Sequence, residues 1–148
     1  MKQIFITILL FLSISVYSQS EKDFQLVRII NEERMLNAGY ILELYDNYTD
    51  LEYFDNYTLR LENSSDKEIK RCMNHINHFI EEYYKNASQV YYAAVCSKEE
   101  PTPESLVRNL VISDNFPYDG STHVMPKMIT RQLKDKWVGF IYVLTFDL

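Results

Sequence analysis

The segment Ser65-Asp66-Lys67-Glu68-Ile69-Lys70-Arg71-Cys72-Met73-Asn74-His75-Ile76-Asn77-His78-Phe79-Ile80-Glu81-Glu82-Tyr83 carries the strongest periodic signal in the chain. Ser65 to Glu68 fits a capping box, in which the serine hydroxyl and the glutamate carboxylate satisfy amides left open at a helix start. Ile69, Cys72, Met73, Ile76, Phe79, Ile80 and Tyr83 then recur at a 3.6-residue period. Lys67, Lys70, Arg71, Asn74, Glu81 and Lys85 occupy the opposite side. The spacing predicts a long amphipathic helix over 66–86. A helix with one apolar face needs a second layer to bury it.

That layer is legible on the C-terminal side. Val90 to Cys96 is a short apolar and aromatic run, which reads as a strand. Leu106 to Ile112 fits either helix or strand, with strand the slightly better fit. Met128 to Leu133 and Trp137 to Phe146 are expected to pair around Lys134-Asp135-Lys136. The last run is apolar at both odd and even positions, as a strand central in its sheet would be. Asp114-Asn115, Pro117 and Asp119-Gly120-Ser121 mark an irregular loop between them.

On the N-terminal side, Glu21 to Ala38 reads as a helix stopped by Gly39. Phe24, Val27, Met35 and Ala38 lie on one face and Leu26, Ile29 and Leu36 on another, so the helix is apolar nearly all round or its first turns are a strand. Tyr45-Asp46-Asn47-Tyr48-Thr49 recurs nine residues later as Phe54-Asp55-Asn56-Tyr57-Thr58. Each Asp-Asn can form a two-residue turn, which predicts short strands over 40–45, 48–54 and 57–62. The expected fold class is α+β: an antiparallel sheet, the 66–86 helix packed on one face, and an N-terminal helix.

Residues 1–18 have the grammar of a secretory signal peptide. Met1-Lys2 is a charged start, Ile4 to Val16 is apolar apart from Thr7, Ser13 and Ser15, and Val16-Tyr17-Ser18 puts small residues before a cut. The apolar run is shorter than the roughly 20 residues that span a bilayer. No cysteine near the cut offers a lipid anchor. The expected product is residues 19–148, one exported domain, secreted or periplasmic, without a membrane anchor. The formal charge of −6 becomes −7 when Lys2 is lost. An acidic chain without a basic face argues against nucleic-acid partners.

Two cysteines in an exported chain suggest a Cys72–Cys96 disulfide. The reach argument is simple. The helix advances about 21 Å from Cys72 to Asn86 at 1.5 Å per residue. The strand returns about 23 Å to Cys96 at 3.3 Å per residue.

Candidate chemistry is sparse. His75, His78 and Glu82 lie at helical spacing, but the H-E-x-x-H metalloprotease pattern is absent, and plain surface positions are the simpler reading. His123 closes Asp119-Gly120-Ser121-Thr122-His123, which reads as a turn, since adjacent residues do not of themselves build a triad. No Gly-rich phosphate loop is present. Asn47, Asn56, Asn63 and Asn86 each open an N-x-Ser/Thr sequon. No metal or cofactor is expected. The functional expectation is an exported binding or interaction module for a protein or small molecule. The alternatives are a small secreted hydrolase using His123 or the His75/His78 pair, and a structural envelope-associated protein.

Overall fold

The structure, a computed structural model, describes residues 21–37, 40–45 and 61–148. The signal-peptide reading, the paired Asp-Asn repeat and the 48–54 strand lie outside the described residues, as does most of the 57–62 strand. In chain order the elements are α1 (21–37), β1 (Glu43–Leu44), α2 (Asp66–Tyr83), β2 (Gln89–Ser97), α3 (Pro103–Ile112), β3 (His123–Gln132) and β4 (Trp137–Phe146). Among the described residues the fold is α+β, with a four-stranded sheet ordered β1-β3-β4-β2.

β4 is central and explains its own composition. Val138, Phe140, Tyr142, Leu144 and Phe146 face α2, where they meet Cys72, Ile76, Phe79 and Ile80. Ile141 and Val143 face the other side, with Leu26 and Ile30 of α1 and Leu106, Val107 and Leu110 of α3. Alternate residues of one strand thus feed two cores. β3 and β4 form a hairpin in which Leu133 N–H donates to Lys136 O at 2.7 Å.

Four expectations change. The sheet is mixed rather than antiparallel, because β1 pairs parallel to β3, Glu43 opposite His123 and Leu44 opposite Val124. Over the described residues β3 sets a chemical limit to that ladder. Glu43 N–H donates to Thr122 O and Tyr45 N–H to Val124 O. The next residue of β3 in that alternation is Pro126, which has no N–H to give.

Residues 106–112 are helical, not a strand. Thr102 Oγ1 accepts from Ser105 N–H, Ser105 Oγ accepts from Thr102 N–H, and Pro103 sits in the first turn. Conversely, α2 uses only half of its expected box. Ser65 Oγ accepts from Glu68 N–H at 3.4 Å, but Ser65 N–H is satisfied by Asn63 Oδ1 and the Glu68 carboxylate turns to Arg71 at 2.8 Å. α2 also ends at Tyr83, three residues before the expected stop.

The fourth change concerns the cysteines: Cys72 and Cys96 are not joined. The reach argument measured travel along the helix and strand but not sideways. α2 lies over the inner strands, with Met73 O accepting from Tyr142 Oη at 3.5 Å. Cys72 is buried there, and burial pushes its thiol up to about 11. Cys96 is exposed on the outermost strand.

Candidate functional site

The β1 end of the sheet opens into a cleft of about 670 Å³, lined by Tyr40, Ile41, Glu43, Gly120, Ser121, Thr122, His123 and Leu148. Its geometry is set from below by a polar network that local sequence patterns did not reveal. Asp119 Oδ2 accepts from Tyr91 Oη at 2.6 Å and from Thr145 Oγ1 at 2.9 Å, while Oδ1 accepts from Ser121 N–H at 2.9 Å. Burial pushes the Asp119 carboxyl up, but these three donors outweigh it and hold the group below its ordinary range. Burial and the neighbouring carboxylate push Tyr91 up.

Arg34 completes the network. It is fully buried in α1 and gives its donors to backbone carbonyls: Nε to Tyr40 O at 3.2 Å, Nη1 to Pro117 O, and Nη2 to Asp119 O at 2.9 Å. One side chain therefore ties the Tyr40 wall of the cleft to the 117–119 loop, which leads into the floor residues Ser121, Thr122 and His123. The buried stripe of α1 is Asp23, Leu26, Ile30 and Arg34, so half of it is polar. Asp23 meets Lys127 Nζ at 3.0 Å, both side chains buried. A search for apolar faces passes over such a stripe. The positions of Asp23 and Arg34 at helical spacing from Leu26 and Ile30 were the available signal.

His123 is the first residue of β3 and stands at the cleft. Its Nδ1 lies 2.8 Å from Thr122 Oγ1, and its Nε2 lies 3.5 Å from Glu43 Oε2. A neutral imidazole with its proton on Nε2 would accept from the hydroxyl and face the carboxylate, a hydroxyl–imidazole–carboxylate relay in form. The Thr122 hydroxyl is also built into the strand ends: it accepts from Leu148 N–H at 3.1 Å and lies 3.4 Å from Phe146 O. Ser121 faces the cleft, but its N–H is spent on Asp119. The loop thus brings Thr122 and His123 together with Glu43, a residue the sequence offered no reason to choose.

The other histidines are elsewhere. His75 and His78 are exposed on α2, as is Glu82. Among the described residues, no group of three or more His, Cys, Asp or Glu side chains is placed to hold a metal ion. No helix among the described residues is long and apolar enough to cross a membrane. Comparison with protein-family models, with curated proteins and with solved structures finds no match to this chain.

Proposed function

We propose that this chain is an exported interaction module that receives its partner in the cleft at the β1 end of the sheet. One observation carries the reading. Tyr40, Ile41 and Leu148 stand 68%, 63% and 66% exposed around that cleft, over a floor of Glu43, Ser121, Thr122 and His123. Exposed apolar side chains rimming polar ones are the usual chemistry of a binding surface. The floor is held in advance by Arg34 and Asp119, so a ligand would not have to order it. Export rests on the charged start and apolar run of residues 1–18.

The test is an amide-resolved NMR titration with two probes, N-acetyl-tyrosinamide and a methyl glucoside. Shifts are expected to concentrate at residues 40–43, 120–123 and 148 and to vanish in Tyr40→Ser/Ile41→Ser. Scattered shifts, or none with either probe, would defeat the reading. N-terminal sequencing of exported material is expected to begin near Gln19; a start at Met1 would remove the export half.

The Thr122–His123–Glu43 contact supports a second reading, a small hydrolase. Hydrolysis of an activated ester such as p-nitrophenyl acetate should then fall by about 10²–10⁴ in His123→Ala. Equal rates in the variant and the parent would dismiss it.

A further inference from the structure

We infer that β2 is a self-association edge, at which a second copy of this chain adds its own β2 antiparallel to form one continuous sheet. β2 is the terminal strand in the order β1-β3-β4-β2, and among the described residues no strand pairs with its outer side. Its backbone polarity can be assigned. Tyr92 O is taken by the Asn115 side chain at 2.6 Å rather than by β4. In an antiparallel ladder the N–H and C=O of one residue point the same way. The outward set is therefore Val90, Tyr92, Ala94 and Cys96.

Apart from the Asn115 amide on Tyr92 O, β2 carries none of the usual protections of an edge. Gln89-Val90-Tyr91-Tyr92-Ala93-Ala94-Val95-Cys96-Ser97 holds no charge and no proline over nine residues. This composition selects a copy of itself as the occupant, for three reasons. An uncharged strand sets no like charges opposite each other in a two-fold pairing. Its flanks are equally compatible with the pairing: about a two-fold axis at Ala93 the exposed Lys98 and Glu99 fall opposite the uncharged Ser88 and Ala87, and Glu100 turns to Thr130 of β3. Finally, a two-fold axis at Ala93 pairs outward residues with outward residues: Tyr92 with Ala94, and Val90 with Cys96.

The side chains have somewhere to go. Tyr92 stacks on Tyr142 at 5.8 Å and borders a cleft of about 290 Å³ under α2, shared with Ile69, Met73, Asn74 and Asn77. The second copy's Tyr92 stands on the same face, one diagonal away, within reach of that cleft. The amide of Asn115 competes for Tyr92 O and must yield to the incoming Ala94 N–H.

Sedimentation equilibrium of the exported protein should show a monomer–dimer equilibrium. Ala94→Pro removes only an outward N–H, so it should leave a monomer with unchanged far-ultraviolet circular dichroism. Asn115→Ala removes the competitor and should tighten the dimer several-fold. Val90→Cys should form a disulfide-linked dimer through Cys96 under mild oxidation, and Val90→Cys/Cys96→Ser should not. This last pair reads the register even if Ala94→Pro fails to fold. A monomer up to roughly 1 mM, a dimer that Ala94→Pro leaves intact, or a Val90→Cys protein that does not cross-link would each overturn the inference.

Discussion

Removing the Asp119 carboxylate should cost this protein more than its place in a surface loop suggests. Asp119→Ala takes away one acceptor from each of three donors: Tyr91 Oη, Thr145 Oγ1 and Ser121 N–H. Thr145 is fully buried, so its hydroxyl loses a partner that water cannot replace, at about 1–3 kcal/mol. Tyr91 and Ser121 are only partly buried and regain some hydration. The expected total is about 2–4 kcal/mol. Urea unfolding followed by Trp137 fluorescence measures it, and a cycle with Thr145→Val identifies the cause. In the Thr145→Val background the same Asp119→Ala change should cost less by roughly 1 kcal/mol, because the stranded hydroxyl is already gone. The pH dependence supplies a second reading. A carboxyl held below its ordinary range contributes stability that is complete above its unfolded pKa of about 3.9. That contribution is lost as pH falls through the lower folded value. The parent should therefore lose urea resistance below about pH 4 more steeply than Asp119→Asn does. A cost under about 0.5 kcal/mol, or the same cost in both backgrounds, would refute the reasoning.

Three other measurements probe the rest of the molecule. Asp23→Ala removes the carboxylate 3.0 Å from the buried Lys127 ammonium and should destabilise by about 3–5 kcal/mol in urea, whereas Asp23→Leu/Lys127→Met together should recover most of that loss. Gly139→Ala should cost about 1–3 kcal/mol in thermal unfolding, because a Cβ there would sit 2.8 Å from the Pro101 ring. Iodoacetamide on the folded protein should label Cys96 well before Cys72, and mass spectrometry after denaturation should find two alkylated thiols.

The elements that were legible in advance are those whose signal is carried by near neighbours. The apolar repeat of 69–80 and Ser65 placed α2 to within three residues, and the double-sided apolar run placed β4 at the centre of a sheet. α3 is equally local: its apolar run by itself fits a strand, and it is Thr102, Pro103 and Ser105 ahead of that run that make a helix start. At the candidate site only His123 stood out beforehand, as part of a turn. Its contacts come from Thr122 beside it and from Glu43 on a strand eighty residues earlier.

What the chain alone determined is the periodicity of its strongest segments, because helix and strand spacing are properties of consecutive residues. Only the tertiary structure decided which polar groups are buried and where the strands sit. Arg34 meets Asp119 across 85 residues and Lys127 meets Asp23 across 104, and neither pairing leaves a trace in local pattern. The same holds for the parallel docking of β1 and the separation of Cys72 from Cys96. Local spacing sets how far a helix or strand advances. Its sideways position is set by the packing of distant surfaces, and that position kept the thiols apart and brought His123 beside Glu43.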